Sequence, residues 1–202
     1  MISRRHFVAG LGSALIPLRA LAQAPWGVVR QVSGDVTLNG FGISRQSALR
    51  SGQSLATGAD GRVWFTIGAD AFFLRPNSRL RLEGSRPAGE FIDFLRLVTG
   101  ALGATFQPGG RRTVSTPTAT IGIRGTGVYV ESGADFTYAC TCFGTTEVSS
   151  TQMERFEVSS RNHEARLIRP GVPIARAAME RHTDEEITAL EALVGRPNPF
   201  RS

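Results

Sequence analysis

From Val28 to Ile168 the chain runs in short apolar-polar alternations broken by glycine, and the period is two. Leu80 and Leu82 alternate with Arg79 and Arg81, and Ala119, Ile121 and Ile123 alternate with Thr118, Thr120 and Gly122. That period predicts strands with one buried face. Strand-like segments fall at 28–32, 35–40, 62–68, 71–74, 79–84, 94–106, 112–116 and 119–125, then at 127–133, 136–143, 146–150, 155–160 and 164–168. Asp60-Gly61, Arg75-Pro76-Asn77, Gly84-Ser85, Pro108-Gly109-Gly110 and Ser132-Gly133 supply turns between them. The expectation is an all-β body, a short β-solenoid or roll, with a β-sandwich as the alternative because both share alternation and turn spacing.

The pattern changes after residue 180. In HTDEEITALEALVGRPNPF, Thr183 is a helix N-cap with Glu186 in the capping-box position, and the acids of the first turn suit the helix dipole. Ile187, Leu190, Leu193 and Val194 make one apolar stripe, and Gly195 and Pro197 end it. The prediction is one amphipathic α-helix over about 183–194, packed by its stripe on the β body.

Composition matters most at the N-terminus. Ser3-Arg4-Arg5-His6-Phe7-Val8 precedes an apolar run that ends at Leu18, shorter than the roughly 20 residues of a membrane span. This reads as a twin-arginine export signal over 1–22, cut after Ala20-Leu21-Ala22, since a cut after Ala24 would put Pro25 next to the protease. Residues 23–170 then form the β domain and 171–202 a C-terminal segment carrying the helix, and the expected compartment is the periplasm. No later segment is apolar enough to span a membrane. Of the formal charge of +6, Arg4, Arg5 and Arg19 leave with the signal, and the remaining arginines are scattered, which argues against a nucleic-acid partner.

One stretch reads like a family signature. Thr113-Val114-Ser115-Thr116-Pro117-Thr118-Ala119-Thr120-Ile121-Gly122-Ile123-Arg124-Gly125-Thr126-Gly127 resembles the FecR domain, whose pattern is Thr-Pro-x-Ala, an alternating strand and then Arg-Gly-Thr. Gly34-Asp35-Val36, Leu49 to Gly58, Asp60-Gly61-Arg62-Val63, Pro76-Asn77-Ser78-Arg79-Leu80 and Gly100-Ala101-Leu102 are similar to that family's other segments, in the same order over residues 28 to 150. Thr116, Pro117, Ala119, Arg124, Gly125 and Thr126 are thus expected to be architectural: Pro117 fixes φ at a strand start, Arg124 serves as an ion-pair partner, and Gly125 and Thr126 form a corner. The resemblance implies a periplasmic module, best known in regulators that relay a signal across the inner membrane to a sigma factor. Ahead of this FecR-like body stands only the export signal, so the expectation is an exported binding or signalling-accessory module. Its partner would be an envelope protein or a cell-wall component.

The only two cysteines lie in TYACTCFG, at Cys140 and Cys142. On a strand Phe136, Tyr138, Cys140 and Cys142 share one face. Residues two apart are separated by about 6.6 to 6.8 Å, too far for a relaxed disulfide without a bulge or break in the strand. Three roles stay open: buried packing on an aromatic face, a strained disulfide in an oxidising compartment, or ligands to zinc or another transition metal. For the last, His163 and His182 would complete a Cys2His2 set, with Glu164, Glu180 or Asp184 as further ligands or supports. No nucleophile-base-acid order, nucleophile elbow or phosphate loop is present, so no enzymatic activity is expected. The leading expectation is the non-enzymatic module, and the alternative is a metal- or redox-sensing protein built on the Cys140/Cys142 pair with His163 and His182.

Overall fold

The computed structural model describes residues 26–84, 93–151 and 154–201. The export signal expected over 1–22 lies outside the described residues. Strands β1 to β8 are Gly27–Ser33, Val36–Leu38, Phe41–Gly42, Ala48–Leu49, Ser54–Thr57, Arg62–Ile67, Asp70–Leu74 and Arg79–Glu83. Strands β9 to β16 are Phe94–Thr105, Arg112–Ser115, Ala119–Ile123, Gly127–Ser132, Thr137–Ser150, Arg155–Ser160, Glu164–Ile168 and Ala175–Ala177, and α1 is Asp184–Leu193. The all-β expectation with a single C-terminal helix holds among the described residues. None of their helices is long and apolar enough to cross a membrane.

The strands form two layers that share two long members. One layer runs β4-β1-β6-β7-β9-β12-β13-β15-β16, all antiparallel. The other runs β3-β2-β5-β8-β9-β10-β11-β13-β14, antiparallel except for the parallel β9–β10 pair. Strand β9 pairs in the second layer up to Thr99 and in the first from Gly100. Likewise β13 pairs in the first layer up to Phe143 and in the second from Gly144. Both crossings are made at glycines with positive φ, 85° at Gly100 and 87° at Gly144, a conformation that costs glycine little. The sequence reads 136–143 and 146–150 as two strands because the bend breaks the alternation, yet the backbone carries β13 through it.

Alternation places one core between the layers. Val63, Phe65 and Ile67 of β6, Phe72 and Leu74 of β7 and Val128 and Val130 of β12 all point into it. Phe65 stacks on Phe72 at 4.9 Å between ring centroids, and Phe106 meets Phe72 edge-on at 5.5 Å.

The alternate residues of the same strands, Trp64, Ala71, Phe73, Tyr129, Tyr138, Cys140 and Cys142, face outward from the first layer and are covered by the C-terminal segment. This is a second core. Ile187 and Leu190 of α1 are fully buried in it, with Leu193 and Val194 packed at its margin. Burial of a side chain of this size stabilises by about 1.5–3 kcal/mol, so the stripe fixes the helix on the sheet. The capping box forms as the sequence predicts: Glu186 N–H donates to Thr183 Oγ1 at 3.3 Å and Thr183 N–H donates to Glu186 Oε2 at 3.1 Å. At the other end Gly195 N–H donates to the Ala192 carbonyl at 3.2 Å.

The Thr-Pro-x-Ala segment is the β10–β11 turn. Thr116 Oγ1 accepts from Ala119 N–H at 2.9 Å and lies 2.6 Å from Thr137 Oγ1, which in turn lies 2.6 Å from Thr118 Oγ1. A buried threonine trio thereby ties the turn to β13, and Pro117 sits exposed at its tip. Arg124-Gly125-Thr126 links β11 in one layer to β12 in the other. Arg124 is exposed. The fully buried arginine of this end is Arg112, 3.4 Å from Asp70.

A candidate metal centre beneath the C-terminal segment

Cys140 and Cys142 lie in the first-layer half of β13, hydrogen-bonded to β12 on one side and β15 on the other. Opposite β12 the register jumps: Gly127 pairs with Phe143 and Val128 with Thr141, so Cys142 is the extra residue of a β-bulge. A bulge re-aims side chains and is frequent beside functional sites. It also explains a departure from simple alternation, because Phe143 joins Phe136, Tyr138, Cys140 and Cys142 on the outward face instead of lying opposite them. Despite the bulge, both thiols are free and buried, not bridged.

His163 comes from the turn between β14 and β15. Its φ is 51°, unusual for a residue with a side chain, and its backbone N–H donates to the Cys142 carbonyl at 3.0 Å. These constraints turn the imidazole over the bulge. His182 arrives from the C-terminal segment just ahead of the α1 cap, its ring stacked on Tyr129 at 4.5 Å and 12°. On the far side Phe200 stacks on His163 at 5.1 Å and 26°.

One donor atom each from Cys140, Cys142, His163 and His182 lies within 4.8 Å of all the others. His163 Nδ1 is 3.6 Å from Cys140 Sγ, His182 Nε2 is 3.5 Å from Cys142 Sγ, and the two ring nitrogens are 3.1 Å apart. The second nitrogen of each ring is committed elsewhere. His182 Nδ1 lies 2.8 Å from the Glu180 carbonyl, which only accepts, so Nδ1 carries the hydrogen. His163 Nε2 lies 2.8 Å from Asp184 Oδ1 and donates to that carboxylate. In their neutral forms both rings therefore aim bare lone pairs, His163 Nδ1 and His182 Nε2, at one point beside two sulfurs. Such an arrangement is satisfied either by protons shared between the sulfurs and the ring nitrogens or by a metal ion at its centre.

The thiols respond to this environment. A hydrogen bond from Cys142 draws Cys140 down to about 4, helped by His163 and His182 and opposed by burial. Burial pushes Cys142 well up, and the sulfur of Cys140 pushes it further. The two titrate as a pair. For His163, burial acts downward but is outweighed by Cys140 and Asp184, so its pKa rises.

All four predicted metal residues are thus brought together. Of the predicted supports, Asp184 holds His163 through its side chain and Glu180 holds His182 through its backbone. Glu164 instead pairs with Arg166 at 3.0 Å, away from the donors. Sequence reasoning missed Tyr129 and Phe200, the two rings that fix the imidazoles. Tyr129 occupies an ordinary alternating strand position and Phe200 lies beyond the helix, so neither carries a spacing signal.

Part of the fold has solved counterparts. Two crystal structures of a "putative anti-sigma factor" from Parabacteroides distasonis ATCC 8503 superpose on the chain with TM-scores of 0.53 and 0.52 at 12% identity. Each match covers 63% of this chain and 60% of that one, so the chain spans less than two thirds of their length. The likeness is one of fold. No family model and no curated protein matches the sequence.

Proposed function

We propose that this protein is a non-enzymatic, FecR-like signalling-accessory module of the periplasm that holds one tetrahedral transition-metal ion, zinc by its donor set. Cys140, Cys142, His163 and His182 are the ligands. The observation that carries the reading is the pair of imidazole lone pairs, 3.1 Å apart and each fixed by its own outer partner, converging beside two buried sulfurs. Structural zinc sites use this closed Cys2His2 set, whereas catalytic ones keep a position open for water, and a histidine whose other nitrogen donates to a carboxylate or carbonyl is the usual outer shell of such a site. Burial argues in the same direction: Cys140 and Cys142 are 1% and 0% exposed, which leaves no approach for a substrate to a thiol. The FecR-like order of motifs and the fold shared with anti-sigma-type structures favour a regulatory module. The twin-arginine signal, a route that carries folded proteins, fits a centre loaded before export. A protein or wall partner would then be met at the layer edges formed by β3, β4, β14 and β16.

Elemental analysis of the chain purified from the periplasm without chelator or reductant tests this. One equivalent of metal, absent from Cys140→Ser, is expected, and cobalt substitution should give the thiolate charge-transfer and d–d bands of a tetrahedral site. A chain that carries no metal and takes none up from added zinc or cobalt would sink the reading.

A further inference from the structure

We infer that the metal acts as a latch on the C-terminal segment, so that its loss frees residues 178–193 from the first layer while the two-layer body stays folded; this rests on the metal reading above. The inference comes from how the ligands are divided. Cys140 is paired on both edges of β13, Cys142 is the bulge residue two positions on, and His163 is tied to Cys142 by its backbone. These three ligands belong to the body. His182 alone lies on the segment, in a stretch without strand pairing where Met179 is exposed and Arg181 has a φ of 67°. Asp184, the first residue of α1, reaches back to His163, so the helix start is fastened to the same centre twice.

Without the ion only hydrogen bonds, with S···N separations of 3.5–3.6 Å, join these rings and sulfurs, a weaker tie than metal bonds, and the member free to move is the one on the segment. Besides the centre, this end is held by Tyr138, whose hydroxyl donates to the Ala178 carbonyl at 2.9 Å and accepts from Glu180 N–H at 3.0 Å, by the buried Ile187 and Leu190, and by polar contacts at the margin. Arg75 bonds Glu186 and the Arg181 carbonyl, and Arg181 bonds Glu131 at 2.7 Å with more than half of its own side chain exposed. The far end is anchored differently. There Arg196 bonds Glu191, the Ala69 carbonyl and Thr105, and none of these groups is a ligand. The segment is thus built to lift from its metal end and pivot about Arg196, uncovering Tyr129, Tyr138 and Phe73. A helix of this length has little stability apart from its packing, so lifting also unwinds it.

Hydrogen exchange on the full chain, with metal content measured on the same sample, tests the latch. Removing the metal with a chelator is expected to speed exchange of the 178–193 amides by about tenfold or more. Those of β1 and β6 should stay unchanged, and added zinc should restore protection. His182→Ala should show the fast exchange even with zinc present. If metal is bound but its removal leaves 178–193 protected, the latch is wrong and the metal site stands. If exchange rises through β1 and β6 as well, the ion holds the whole body and the latch is again wrong. A chain that neither carries metal nor takes up zinc overturns the site and the latch together.

Discussion

Asp184 is the residue on which the centre's geometry turns, because it decides which nitrogen of His163 is free. Removing such an outer partner typically lowers metal affinity about 10–100-fold. Asp184→Ala should fall in that range in a chelator competition while the β body keeps its circular dichroism, and Asp184→Asn, which can still accept from Nε2–H, should lose less. Protons report on the same atoms. The thiol of Cys142 is held up by burial and by its neighbour, and His163 is raised by Cys140 and Asp184, so both shifts keep protons on groups that a metal must strip. Metal binding should therefore release protons into a weakly buffered dye solution. Because a lower pH favours the protonated ligands, affinity should fall as pH falls. The four donors were legible in the sequence as the only two cysteines and the only two histidines beyond the signal. Their tautomers were not, since these depend on a carbonyl and a carboxylate that only folding brings within reach.

At the scale of elements, α1 shows where local signals suffice and where they fail. Its cap, stripe and stop follow from sequence, and the expected 183–194 differs from the observed Asp184–Leu193 by a single residue at each end. Thr183→Ala should cost roughly 1 kcal/mol, read as a lower denaturation midpoint of the metal-loaded protein. Nothing local marks Glu191, which is 4% exposed although it is charged. Its partner Arg196 lies beyond the helix, with Nε 2.7 Å from Glu191 Oε2 and the guanidinium on Thr105 at 3.0 Å. Truncating one member of a buried pair leaves the other charge uncompensated, at about 3–5 kcal/mol. Arg196→Ala should thus destabilise more than Thr183→Ala in the same urea titration, although Arg196 is part-exposed and Thr183 caps the helix.

Across the whole molecule, period-two alternation reveals one buried face per strand and is silent about a second. Val128-Tyr129-Val130 and the Ala71-Phe72-Phe73-Leu74 run are buried on both faces because the first layer is sandwiched between the other layer and the C-terminal segment. That third layer, which closes the candidate metal centre, depends on contacts too distant in sequence for any pattern to register. The two crossing strands allow the coupling between body and site to be tested. Gly144 lies two residues after Cys142 at a φ of 87°, and a Cβ there would stand 2.5 Å from Thr126 Cγ2. Gly100 makes the equivalent bend in β9, where a Cβ would meet Ser78 and no ligand. Placing a side chain at such a φ costs of order 1–3 kcal/mol, so Gly144→Ala and Gly100→Ala should both lower the urea midpoint. Only Gly144→Ala should also weaken metal retention, because straightening β13 at that point shifts the bulge that aims Cys142. Equal metal retention in the two variants, measured by chelator competition on samples matched for folded fraction, would show that the bulge is set by its pairing with β12 and β15 and not by the bend.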